Sequence, residues 1–490
     1  MNHTDIKTLG QLKASNYQTR PIKIEMRENL VHALQTRTEI FSGILGYEDT
    51  VIPEIERAIL AGHSINLLGL RGQAKTRIAR TMVNLLDEYI PYIQGTEIND
   101  DPFHPISLAG KQAIAEHGDK TPIAWLHRSE RYIEKLATPD VSIADLIGDL
   151  DPVKAINNKL DYSDERAIHF GLIPRSNRCI FVINELPDLQ PRIQVALFNI
   201  LQEGDIQIRG FKLRLPLDIQ FIFTANPEDY TNRGSIVTPL KDRIGSQIIT
   251  HYPKSIELAN AITVQEAKLT DNQRNNIRIS PILQHAVEHI VNEARNSEFV
   301  DTKSGVSARL SITAYELLFS SAERRMILSG DSSTSLRFSD LHAVIPAVTG
   351  KVEMVFEGET EGPVNVAMNL IGKAVRNLFL ENCPPLEKSK KKGQEMHSPY
   401  KHVVLWFDEG KSIDIPLNAS NKIYADLLSK IEALNEFAEV HFSKASEEDK
   451  LLLKELVLFG LSENSKLSRQ ILERNIQFKD FFGSVFSGFQ

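Results

Sequence analysis

The 490-residue chain carries 56 Lys plus Arg against 64 Asp plus Glu, a net charge of −8, with 42% hydrophobic and 24% charged residues. These values exclude a single small domain and a disordered or fibrous chain, and with only Cys179 and Cys383 they exclude a disulfide framework and a thiolate zinc site. The acidity counts against nucleic acid as the main partner, and no apolar run approaches the roughly 20 residues that span a bilayer, so a cytoplasmic protein with no membrane span is expected.

Residues 1–40 are polar and of mixed charge and are set apart as an N-terminal extension. The pattern then becomes regular over 41–253, as expected for an α/β domain. Ile65 to Leu68 form a short apolar run that reads as a buried strand, Gly69 to Ala74 a turn-prone loop, and Ile78, Met82, Leu85 and Leu86 a helical face. Ile93 to Ala137, with Trp125 and the mixed-charge LHRSERYIEKL, shows no pattern that assigns it a role. Cys179 to Ile183 (CIFVI) and Ile219 to Ala225 (IQFIFTA) read as two further central strands. Between them lies DIQIRGFKLRLPL, a candidate hairpin about Gly210. Buried strands separated by helical stretches point to a parallel sheet.

Past Tyr252-Pro253 the chain turns helical, and 254–350 reads as a helical lid domain. Leu283, Ala286, Val287, Ile290, Val291 and Ala294 share one face, as do Leu310, Ala314, Leu317 and Leu318. A connecting region, 351–387, leads to a lysine-rich linker, 388–397, and a small α+β domain, 398–490. In that last domain VVLWF, DEGK and SIDIP suggest a hairpin, and Ser446 with Asp449 a capping box before DKLLLKELVLFG. The tail with Phe481, Phe482, Phe486 and Phe489 either completes a core or docks on a partner.

The chemistry is concentrated in one ordered series. Gly69-Leu70-Arg71-Gly72-Gln73-Ala74-Lys75-Thr76 approximates the phosphate loop G-x-x-x-x-G-K-[ST], set between strand and helix as that loop requires. Backbone N–H groups and the start of the helix would meet the β-phosphate of ATP, Lys75 the β/γ-oxygens, and the Thr76 hydroxyl Mg²⁺. Ala74 replaces the sixth-position glycine. CIFVI ends in Asn184 and Glu185, where the second nucleotide motif has two acids. Glu185 would polarise the attacking water, and Asn184, uncharged, would reach Mg²⁺ through a bound water. Asn226, at the tip of the next strand, would orient the lytic water or touch the γ-phosphate. Arg243 offers a cation to a neighbouring subunit, and Arg309 in GVSARLS begins a helix of the lid. His104, His117, His127 and His169 show no ligand spacing, so no protein-bound transition metal is expected.

From about Ile44 to Val348 this series resembles the AAA+ ATPases of the MoxR and magnesium-chelatase ATPase-subunit branch. AILAGHSINLLGLRGQAKTR is similar to that family's approach to the phosphate loop, where MoxR and minichromosome-maintenance proteins also use Ala before the lysine. ATPDVSIADLIGDLDPVKA, HFGLIPRSNRCIFVINELPDL and QVALFNILQEGDIQIRG resemble the chelatase segments in the same order. The resemblance implies a P-loop AAA+ core with a helical lid. It makes Lys75 and Thr76 the phosphate-loop pair, Glu185 the catalytic glutamate, Asn226 sensor 1, Arg243 the arginine finger and Arg309 sensor 2. It further implies an ATP-hydrolysing, ring-forming remodelling motor, a hexamer, with a von Willebrand factor A domain protein as partner. Two departures suggest other outcomes. Asn184 in place of Asp suits a slow or inactive ATP-binding scaffold, and Arg209, Lys212 and Arg214 of the candidate hairpin suit a DNA-acting motor.

Overall fold

The computed structural model describes residues 5–157, 159–160, 164–208, 214–227, 235–386, 398–472 and 474–481. The Lys388–Lys392 run, the linker, Arg209, Gly210 and Lys212 of the hairpin, and Phe482, Phe486 and Phe489 lie outside the described residues. The chain divides into two compact units, Met1–Tyr252 and Pro253–Gln490. Among the described residues no helix is long and apolar enough to cross a membrane.

The first unit is built on five parallel strands: β1 (Ile65–Leu68), β2 (Tyr132–Leu136), β3 (Cys179–Asn184), β4 (Ile219–Ala225) and β5 (Ser246–Ile249). Their order is β5-β1-β4-β3-β2. The three strands read from sequence occupy the centre, where both faces are covered and uninterrupted apolar runs are required. On one face Ile65, Leu67, Ile180, Val182 and Ile222 pack with helices α1 (Ile22–Thr36), α2 (Val51–Leu60) and α3 (Lys75–Thr81). On the other, Phe181, Ile183, Phe221 and Phe223 pack with Leu146, Ile193, Leu197 and Leu240. Each such buried side chain contributes about 1.5–3 kcal/mol.

Two segments hold elements that the sequence did not mark. Residues 1–40, set apart as an extension, include α1, whose Ile22, Met26 and Leu30 are buried in the sheet's core. The carboxylate of Glu25 on α1 receives both Arg131 Nη1 and Nη2, at 2.6 and 2.7 Å, and the backbone N of Asp87 at 2.7 Å. This buried pair joins α1 to the turn that leads into β2. The segment 93–137 holds a strand, Ile123–His127, that pairs antiparallel with Tyr89–Ile93, and then β2 itself. The described arms of the candidate hairpin pair, Asp205–Gln207 antiparallel to Arg214–Pro216.

The second unit has one continuous apolar core, from Ala267 to Phe478. It contains α5 (Ile256–Glu266), α6 (Ala286–Arg295), α7 (Ala308–Ser329) and α8 (Pro363–Asn382), after α4 (Thr238–Arg243) of the first unit. The expected VVLWF hairpin does not form. Lys401–Asp408 is helix α9, with Val403 and Phe407 buried one turn apart. SIDIP supplies β6 (Ile413–Pro416), which joins β7 (Leu467–Ile471) and β8 (Asn475–Asp480) in an antiparallel sheet of order β6-β8-β7. The i, i+4 spacing of Val403 and Phe407 outweighs the strand preference of a β-branched pair. Ser446 caps the helix Glu447–Glu463, accepting from Asp449 N at 3.2 Å.

Candidate nucleotide site

Parallel strands bring the carboxyl ends of β1, β4 and β3 side by side. Leu68 pairs with Ala225, Phe223 with Ile183, and Gly69 N donates to Ala225 O at 3.1 Å. The loop after β1 therefore lies against the tip of β4, and Asn184 and Glu185 follow one strand further on. This is the edge of an open parallel sheet at which ligands bind.

Three positions of the loop have demanding backbone geometry. A Cβ on Gly69 would lie 1.9 Å from Thr250 Oγ1 and 2.2 Å from Gln73 Oε1, so a larger residue would displace the Thr250 and Gln73 side chains. Gly72 has φ 75° and Ala74 φ 55°. Ala74 thus holds a left-handed conformation that costs an alanine about 1–2 kcal/mol. The sequence marked this residue as a departure from glycine, and the geometry shows what it costs. Ala74→Gly is expected to relieve the strain, partly offset by the larger unfolded-state entropy of glycine, and to slow amide hydrogen exchange over residues 70–78 by about two- to five-fold. Faster exchange in the variant would mean that the methyl group stabilises the loop.

Lys75 closes the loop on itself. Its Nζ donates to Asn226 Oδ1 at 2.6 Å, to Leu70 O at 2.9 Å, and to Gly69 O. Lys75 and Asn226, 151 residues apart, are therefore in direct contact. Asn226 is buried at the strand tip. Thr224, two residues earlier, accepts from Glu185 N at 3.1 Å and donates to Asn184 Oδ1 at 3.2 Å. Glu185 itself has φ 57° and ψ 50°, a left-handed turn directly after β3.

Further residues, not singled out in the sequence, hold the loop from behind. Tyr47 OH donates to His251 O at 2.7 Å and lies 3.2 Å from Gln73 O. Burial pushes its phenol up to about 12, so it remains a donor at ordinary pH. Thr250 Oγ1 donates to Gln73 Oε1 at 2.7 Å, Thr50 Oγ1 is 2.9 Å from His251 Nε2, and Tyr252 OH donates to Arg71 O at 3.2 Å. A search of the residues just past β4 and β5 would have found Thr250 and Tyr252, because that edge faces the loop. Tyr47 carried no such signal.

Two further predicted residues are Arg243 and Arg309. Arg243 ends α4, half-buried, with Nε on Gln202 Oε1 at 2.9 Å and its guanidinium 5.0 Å from the Phe198 ring centre. Arg309 is the second residue of α7 in the second unit, exposed, its backbone N donating to the Ser307 cap at 3.1 Å. For a divalent cation the fitting groups are the Thr76 hydroxyl and the Glu185 carboxylate. Asn184 brings no charge, and its amide oxygen already accepts from Thr224.

Strand order, loop and strand-tip residues together define a P-loop α/β module. No family model matches the chain. It is 26% identical over 242 residues to the magnesium-chelatase 38 kDa subunit of Cereibacter sphaeroides, over 47% of this chain and 65% of that protein. With the same subunit of Rhodobacter capsulatus it shares 25% over 226 residues, 44% of this chain and 57% of the relative. The chain thus spans less than two thirds of the length of these curated relatives. Solved structures that resemble it include NtrX from Brucella abortus (13% identity, TM-score 0.35, 59% of this chain and 55% of that one). Another is the complex between subunits BchI and BchD of magnesium chelatase (19% identity, TM-score 0.34, 65% and 98%). Over somewhat less than half its length the chain is thus similar to magnesium-chelatase 38 kDa subunits.

Proposed function

We propose that the chain is an ATP-hydrolysing motor that works as a ring, a hexamer, and remodels a protein partner or drives insertion of a metal ion. The observation that carries this reading is the 2.6 Å contact between Lys75 Nζ and Asn226 Oδ1. It joins the loop's lysine to the strand tip where a γ-phosphate would be sensed.

In this mechanism Lys75 exchanges the carbonyls of Gly69 and Leu70 for the β/γ-phosphate oxygens of ATP. Asn226, released from the ammonium, orients the attacking water. Glu185 takes that water's proton as it attacks the γ-phosphorus, the bond to the β,γ-bridging oxygen breaks, and ADP and phosphate result. Thr76 would hold Mg²⁺, whose charge would offset the charge that develops on the transferred phosphoryl group. Arg243 of one subunit would serve the site of the next, and Arg309 would answer from the lid.

The curated relatives are named as a subunit of magnesium chelatase, which supports an assembly with a second protein. A von Willebrand factor A domain protein is the partner proposed. A second reading, a slow or inactive ATP-binding scaffold, is favoured by Asn184, which leaves the end of β3 with one carboxylate instead of two.

The test is phosphate release from ATP by the full chain over a range of protein concentration. Specific activity is expected to rise with concentration as subunits assemble, and Arg243→Ala is expected to lower it at least ten-fold, about 1.4 kcal/mol of barrier, while nucleotide still binds. Specific activity independent of concentration, with Arg243→Ala as active as wild type, would remove the ring and the shared site.

A further inference from the structure

One buried hydroxyl fixes how the end of β3 faces the loop. Thr224 is 3% exposed, its Oγ1 accepts the Glu185 backbone N at 3.1 Å, and it lies 3.2 Å from Asn184 Oδ1. A threonine hydroxyl carries a single proton, and the Asn184 amide oxygen is its acceptor here. With the amide turned over, Nδ2 would donate to Oγ1 and that proton would be left buried without an acceptor. The loss is about 1–3 kcal/mol, which decides the amide's orientation. The amide oxygen therefore faces Thr224, and the N–H₂ faces away from it.

The chemical consequence depends on what a carboxylate would do in the same place. An ionised aspartate held by Thr224 would turn its second oxygen outward, an acceptor for the protons of a cation's bound water. Asn184 turns two donors outward instead. Donors of this kind suit phosphate oxygens and do not suit metal-bound water. Resting on the reading of the loop as a nucleotide site, we infer that Thr224 is a positioning residue that makes Asn184 a hydrogen-bond donor to the nucleotide's phosphates. Asn184 then adds little to holding a divalent cation, and nucleotide binding depends only weakly on Mg²⁺. Thr76 and Glu185 remain the groups that fit the cation.

The experiment is titration of the full chain with a fluorescent ADP, in excess Mg²⁺ and in EDTA, for wild type, Asn184→Asp, Thr224→Val and Thr224→Ser. Affinity of the wild type and of Thr224→Ser is expected to change by less than about three-fold on removing Mg²⁺. Asn184→Asp is expected to change at least ten-fold, about 1.4 kcal/mol. Thr224→Val, in which the amide is released to turn its oxygen outward, is expected to fall between them. Electron paramagnetic resonance of Mn²⁺ with ADP gives a second readout, with more bound ion in Asn184→Asp than in wild type. Wild-type binding that is as Mg²⁺-dependent as that of Asn184→Asp would overturn the inference and leave the nucleotide reading standing. No binding of ADP by the wild type in either condition would overturn both.

Discussion

Lys75→Ala is expected to lower affinity for ATP at least about a hundred-fold and to abolish phosphate release. The ammonium has two sets of partners available to it. Without nucleotide it donates to Asn226, Leu70 and Gly69 within the protein. With nucleotide it would trade neutral carbonyls for anionic phosphate oxygens, and hydrogen bonds that involve charged groups contribute about 1.5–3 kcal/mol each. Two such bonds correspond to two or more powers of ten in affinity. The substitution also frees the Asn226 amide and two loop carbonyls, which lie at the edge of the sheet and can take water in exchange. Folding of the first unit should therefore survive, because Gln73 stays tied to Thr250 and Tyr47, Arg71 to Tyr252, and Gly69 N to Ala225 O. Calorimetric titration with ATP measures the affinity, and circular dichroism of the same sample checks the fold. A variant that still binds ATP within about three-fold of wild type would show that this loop is a turn opening a helix and nothing more.

What the sequence made legible and what it hid follow one physical division. INLL, CIFVI and IQFIFTA could be read as strands because each lies between neighbours with both faces covered, so most positions are apolar, with Asn66, Gln220 and Thr224 the buried polar exceptions. β2, YIEKL, lies at the sheet's edge and carries Glu134, whose carboxylate meets Arg80 of α3. Its charged residues masked it within 93–137. β5 is only four residues long and half polar. The loop was legible because its chemistry needs fixed spacing along the chain. Thr224, Tyr47 and Tyr252 were not, because they act through hydroxyls on partners up to 204 residues away, a relation that only the sheet's register creates. In the second unit α9 was hidden by Val403 and Val404, residues that favour strands but here serve a helix with Val403 and Phe407 inward.

The same division explains the strain at the site. Ala74 and Glu185 both have φ near 55°, and neither is a glycine. Left-handed residues persist where the surroundings over-determine them. At Ala74 the restraint is the Lys75 network, and at Glu185 it is the hydrogen bond from its own backbone N to Thr224. Both strained residues lie beside groups assigned to phosphate or water, so the backbone there is held in one conformation before nucleotide arrives. Such prior ordering reduces the entropy lost on binding.

That ordering gives the second large effect its form. Glu185→Gln keeps the shape of the side chain, the left-handed turn and the backbone bond to Thr224, and removes the carboxylate's charge and its ability to take a proton. Nucleotide binding is therefore expected to stay within about three-fold of wild type, while hydrolysis falls about 10²- to 10⁴-fold, the usual contribution of a general base. ATP should consequently remain intact on the variant, which single-turnover measurement with radiolabelled ATP resolves. Unchanged hydrolysis in Glu185→Gln would take Glu185 out of the mechanism. Asn184→Asp, run beside it, separates the motor from the scaffold. If the missing carboxylate limits turnover, restoring it should speed hydrolysis at least ten-fold, and a wild type so accelerated is one set for slow cycling. If turnover is unmoved, the donor face that Thr224 gives Asn184 already suffices, and Glu185 alone sets the rate of the chemical step.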